Sequence, residues 1–213
     1  MRLPSISCVP TAVAANGICL SQNPSAAGDL LINGSLASAG TVTLGAAQLV
    51  RLTSASDDQA FTFTFYGTDA DGRNISQAVA GTSSSNSDTT LYFKTITRIT
   101  TSGNCGAVIV GNLIASVSPT IRPSHRKQQF NIGFGVILNS GTVTYAVQHS
   151  YDDYEGGEKT QQTYPTTWFT HGTATGKNAS FDAAYTSPVS AIRLSVSASS
   201  SANIIGKFIE AGA

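Results

Sequence analysis

From residue 61 the chain alternates with period two: Phe61, Phe63 and Phe65 are separated by Thr62 and Thr64. That spacing puts three rings on one face of a strand. Residues 69–72 then supply a turn, and Ile75, Ala78 and Val79 mark the return, so the stretch predicts a hairpin whose Asp71-Gly72 pair provides the positive φ. A second pair of strands is expected from TLYFKTITRITTS, a turn at residues 103–106, and AVIVG. Upstream, residues 29–58 read as short apolar segments divided by Asn33-Gly34, Ala39-Gly40 and a Ser/Asp loop. About six or seven strands up to Val117, with regular turn signals, is the pattern of a sandwich or barrel. No helical period is sustained; the best candidate, GAAQLVRL, is short and runs into Thr53 and Ser54.

The second half repeats this logic. FNIGFGVILNSGTVTYAVQHSYDD predicts a hairpin turning at residues 139–141, with Val143, Tyr145 and Val147 alternating against Thr and Gln. Residues 189–192 lead through a Ser-rich turn into residues 203–209, much as residues 96–99 lead into 107–110. Both halves therefore finish on a similar predicted hairpin. The expected fold is all-β: two tandem antiparallel β-sandwich domains, jelly-roll or Ig-like, behind an extended N-terminal arm. The arm covers residues 1–27, the first domain 28–118, a linker 119–129 and the second domain 130–213. Pro4, Pro10 and Pro24 keep the arm extended, and its apolar residues predict that it lies against its own domain or a neighbouring subunit. The linker carries Pro119 and Pro123 with Arg122, His125, Arg126 and Lys127, which reads as a solvated connection rather than a phosphate patch.

Composition narrows the class. Charged residues are 11% of the 213, against about 25% in an ordinary soluble domain, and the net charge is zero. A neutral chain is poorly suited to nucleic acid, whose phosphates demand excess Lys and Arg. With 41% hydrophobic residues the chain is not disordered. No apolar run approaches the length of a membrane span or a secretory signal core. Cys8, Cys19 and Cys105 contain no C-x-x-C pair, so zinc is not expected; reduced structural thiols are the favoured reading, with a Cys8–Cys19 bridge as the alternative. Three N-x-S triplets, at Asn33, Asn74 and Asn178, are what eleven asparagines produce by chance when about a quarter of the chain is Ser or Thr.

Candidate chemistry is sparse. There is no G-x-S-x-G elbow, and His125, His149 and His171 fall in no pattern that would place one beside an activated serine. GTDADG lacks the length and the closing Glu of a calcium loop and reads as a hairpin turn. One acidic-aromatic cluster stands out: Asp152, Asp153, Tyr154 and Glu155, followed by Trp168. It could contact a partner or a glycan, against the plainer readings of a solvated loop and a core tryptophan. No catalytic, metal or cofactor residues are expected, and no cofactor.

Two groups of segments carry a resemblance. FTFYGTDADGRNISQ (63–77) and YFKTITRIT (92–100) resemble a motif of small two-domain all-β virion structural proteins of tailed bacteriophages. VTYAVQHSYDD (143–153), WFTHG (168–172), SPVSAIRLSV (187–196) and IEAG (209–212) resemble a companion module of the same proteins. The resemblance implies a non-enzymatic protein that oligomerises with itself and binds other virion proteins, portal or connector, tail or capsid, after assembly in the host bacterial cytoplasm. It implies a ring at the head–tail connector, collar or tail, or alternatively a capsid decoration protein. It implies no membrane and no direct nucleic-acid role. A glycan-binding module for host attachment is the alternative of a different class.

Overall fold

The computed structural model describes residues 4–123, 131–152 and 167–211. Among them the chain is all-β, with antiparallel ladders and no helix, and hence no helix long and apolar enough to cross a membrane. The strands are β1 Ser5–Cys8, β2 Cys19–Gln22, β3 Gly28–Asp29, β4 Ala37–Ser38, β5 Thr41–Ser54, β6 Thr62–Thr68, β7 Asn74–Ala80, β8 Asn86–Asp88, β9 Phe93–Thr101, β10 Val108–Val117, β11 Asn131–Ser150, β12 Phe169–Thr170, β13 Phe181–Tyr185 and β14 Ala191–Ala211. They fall into two compact units, Pro10–Ser116 and a second that joins Met1–Val9 to Val117–Ala213.

In the Pro10–Ser116 unit the neighbouring strands run β10-β5-β9-β6-β7. The predicted hairpin is present as β6 and β7, paired from Thr62 with Ala80 to Thr68 with Asn74. Phe63 and Phe65 are fully buried with Phe93, Ile96 and Ile99, and Phe61 packs at the edge of that core. The turn is longer than a two-residue loop. Gly72 has the positive φ, at 79°, and Asp69 organises the rest by accepting the amides of Asp71 and Arg73, both at 2.9 Å. Arg73 pairs with both carboxylates, Asp69 at 3.1 Å and Asp71 at 2.6 Å, so the acidic turn balances its own charge.

β9 and β10 do not form the expected hairpin, because β5 lies between them. The connection is tied to other loops instead: Ser102 N donates to Thr62 O, Cys105 N to Pro24 O and Gly106 N to the buried Asp58 carboxylate. The stretch GAAQLVRL is part of β5. Register slips there, with Thr43 opposite Thr95 but Gln48 opposite Phe93, and the Lys94 ammonium donates to the Leu44 and Gly45 carbonyls that the bulge leaves over.

The arm is held by two buried amides. Gln48 accepts the Thr11 amide and donates to the Thr11 and Leu113 carbonyls at 2.9 and 2.6 Å. Asn112 accepts the Ala14 amide at 3.0 Å and donates to Ala12 O at 3.0 Å and Thr11 O at 3.3 Å. A Cβ on Gly111 would lie 2.3 Å from Ala14 O, so the backbones touch there. Side-chain amides thus do for residues 11–14 what a strand partner would do, satisfying main-chain groups that burial would otherwise orphan.

In the second unit β11 and β14 form one ladder from Asn131 opposite Ala211 to Ser150 opposite Ala191. On the far edge of β11 lie β13 and β12, and β1 pairs with β14 from Ser5 opposite Lys207 to Cys8 opposite Ile204. The turns expected at residues 139–141 and in the Ser-rich segment are both absent. They face each other in mid-ladder, Ser140 opposite Asn203 and Thr142 opposite Ser200, where the register shifts. Gly141 has φ 74° and Ser201 φ 49°. A Cβ on Gly141 would meet the Ser200 and Ser201 carbonyls at 2.5 Å. The breaker residues therefore make paired bulges, which bend the β11–β14 ladder without ending it. The burial parity of β11 flips across the bend, from Ile132, Phe134 and Val136 to Val143, Tyr145 and Val147.

Cys8, Cys19 and Cys105 are buried and not joined in disulfides, and burial pushes Cys19 up to about 12, an inert structural thiol. Asn112→Ala should lower stability by about 2 to 4 kcal/mol by orphaning the arm's main-chain groups. Urea unfolding checks this: the midpoint falls at unchanged slope, and an unchanged midpoint would mean that the amide is not what holds residues 11–14.

Candidate functional site

The end of the second unit carries a chain of rings graded from core to surface. Phe134, buried, touches Phe208 at 6.0 Å, Tyr185 at 5.5 Å and His171 at 5.1 Å between ring centres. The β11–β13 register explains the first step, since Ile132 is opposite Tyr185 and Phe134 opposite Ala183 on the inward face. His149 follows, edge-on to Tyr185 and Tyr151 at 5.2 Å and stacked on Phe169 at 5.9 Å. β12 pairs with β11 through His149 opposite Phe169, which sets that stack. Tyr151 and Phe169 end the series, 57% and 48% exposed.

The imidazoles are held by specific partners. The Tyr185 hydroxyl lies 3.3 Å from His149 Nδ1, and burial raises the pKa of that phenol. His171 Nδ1 lies 3.3 Å from both the amide and the hydroxyl of Thr173, and its Nε2 lies 3.3 Å from Ala184 O. Burial and the proximity of His171 both hold His149 below the ordinary imidazole value of 6.5.

Of the residues that the sequence singles out, Asp152 and Trp168 are described; Asp153, Tyr154 and Glu155 lie outside the described residues. Asp152 Oδ2 accepts the Thr167 amide at 2.8 Å, and the Asp152 amide donates to Ser150 Oγ at 3.1 Å, so this carboxylate orders the approach to β12. Trp168 is half-buried, with the Arg193 guanidinium 3.9 Å from its ring centre. Arg193 in turn donates to Gln148 Oε1 at 2.9 Å. Neighbouring positions on a strand face opposite ways, so Trp168 joins Gln148 and Arg193 while Phe169 joins His149 and Tyr151. Trp168 and Phe169 therefore do not share one face.

Sequence reasoning missed the ring series because its members are far apart: Phe134, His149, Phe169 and Tyr185 meet only through the β11 ladder. The arrangement offers two exposed ring faces backed by the His149 imidazole, which Tyr185, Tyr151 and Phe169 hold in place. It is suited to stacking against an apolar or sugar-like surface. Among the described residues no three His, Cys, Asp or Glu side chains are grouped to hold a metal ion.

No protein-family model and no curated protein sequence matches the chain. Among solved structures, the crystal structure of allantoicase from Saccharomyces cerevisiae is similar at 9% identity, over 79% of this chain and 76% of that one, with a TM-score of 0.24. At that score the likeness carries no argument about fold or activity.

A histidine depressed in the fold is protonated more readily in the unfolded chain. Its stabilising contribution is complete above about pH 6.5 and declines as pH falls through that value towards the folded pKa. The thermal midpoint should therefore drop between about pH 7 and pH 5, and drop less in His149→Phe, as read by circular dichroism. Equal drops in both proteins would place the proton uptake elsewhere.

Proposed function

We propose that this chain is a non-enzymatic structural protein of a tailed-bacteriophage virion, built as two β-sandwiches in tandem, which oligomerises and binds other virion proteins. Its favoured place is a ring at the head–tail connector, collar or tail. The observation that carries the reading is where the resembling segments fall. Residues 63–77 and 92–100 become β6, β7 and β9, which are direct neighbours paired through Phe65 with Gln77 and Ile99. Of the resembling segments in the second half, residues 143–150 lie on the second half of β11 and residues 191–196 on the first half of β14, which pair with each other, and β12 falls within 168–172 beside them. The shared motifs are thus ladder and core positions, as a scaffold-building protein would require. Low charge and net neutrality support surfaces that meet protein neighbours. Antibody labelling of purified particles in electron micrographs should mark the head–tail junction or tail. Labelling spread over the head would favour capsid decoration, and absence of the chain from purified particles would sink the virion reading.

The exposed rings of Tyr151 and Phe169 favour one second reading, a glycan-binding module for host attachment. Phe169→Ala and Trp168→Ala proteins that stay folded should then lose at least about tenfold in glycan-array or cell binding. Binding indifferent to both changes would count against it.

A further inference from the structure

We propose that the outer face of the sheet formed by β13, β11, β14 and β1 is a self-association surface, on which a second copy packs face to face about a two-fold axis running along β11. This rests on the reading that the chain assembles with copies of itself, and it names the surface and the symmetry.

The ladder registers define the face. Its middle row runs Asp182, Gly135, Lys207, Ser5 across the four strands, each opposite the next. Opposite-face neighbours Phe134, Val136 and Phe208 point into the core, so the row points away from it. Ile209, 45% exposed, and Ile137, 36% exposed, stand on the rows to either side.

Two features of this face lack an explanation within one chain. Gly133 and Gly135 lie in mid-strand without a positive φ, and a Cβ on either would meet nothing within 4 Å. Glycine inside a strand costs about 0.5 to 1 kcal/mol, and where no turn or internal crowding requires it, it marks the close approach of another surface. Lys207 and Asp182 are exposed, and neither makes an ion pair among the described residues. They flank Gly135 one strand away on each side.

A two-fold axis along β11 keeps the strand direction and exchanges left with right. It sets Lys207 of one copy over Asp182 of the other, twice, across the bare Gly135 row. Packed sheets stand about 10 Å apart, a gap that a lysine and an aspartate together span. The same operation lays Ile209 over Ala184, large against small, since Gly133 is opposite both of them. The occupant that fits this charge pattern is the chain itself.

Analytical ultracentrifugation of the full chain tests it. The wild type should sediment as a dimer or a larger assembly built from it. Lys207→Glu and Asp182→Lys should each weaken association by roughly a hundredfold, because each sets like charges opposite one another. An equimolar mixture of the two variants should re-associate with near wild-type affinity, since every pair is complementary again. Gly135→Gln, which has free space around it in the single chain, should also dissociate the assembly at an unchanged thermal midpoint. Failure of the mixture to re-associate would overturn the two-fold pairing. An assembly indifferent to all three substitutions would overturn the face while leaving self-assembly intact. A wild-type chain that is monomeric at all concentrations would overturn the face, with particle labelling deciding separately whether the virion reading stands.

Discussion

The second unit depends on one constraint: a twenty-residue strand and a twenty-one-residue strand are paired along nearly their whole length. Twist accumulates along such a ladder, and a ribbon of that length cannot stay flat while covering a core on one side. The conflict is resolved at a single place, where Gly141 and Ser201 take left-handed backbone angles and the carbonyls of residues 200 and 201 close over the glycine. On one side of this bend the inward positions of β11 are even-numbered, and on the other they are odd-numbered. Everything attached to the ladder inherits the change: Phe134 and the glycines beside it stand before the bend and His149 after it, and the ring series draws on both sides.

This bend also marks the boundary of what the sequence could tell. The alternation around Phe63 and Phe65 was readable because each side chain reports its own face, and the β6–β7 hairpin is where the pattern puts it. Residues 139–141 and 197–201 carry the same Asn, Ser and Gly signals that close real hairpins, and local chemistry does not distinguish a turn from a bulge. The difference is settled by whether another strand continues opposite, and that is tertiary information. The pairing of β5 between β9 and β10 was hidden for the same reason. Gln48 and Asn112 were overlooked because each is one polar residue in an apolar run, and their partners lie 37 and 101 residues away.

The candidate site was half legible. Asp152 and Trp168 do lie next to the exposed rings, but they serve to order the entry to β12 and to stack on Arg193. Tyr151 and Phe169 become neighbours because β12 returns to the edge of β11, and His149 gains a hydroxyl partner because Tyr185 arrives from β13. Such a surface is assembled by topology, with rings contributed by the end of β11, by β12 and by β13.

The register of β1 has a bearing on how the chain is made. Ser5 and Cys8 leave the ribosome long before their partners, Lys207 and Ile204, are synthesised. During elongation the early strand must wait with its edge unpaired, while residues 11–14 wait in turn for Asn112. Non-local closures of this kind are slow to form and leave apolar edges open to other nascent chains in the meantime. With 11% charged residues and no net charge, the sequence gives those edges little electrostatic repulsion from one another.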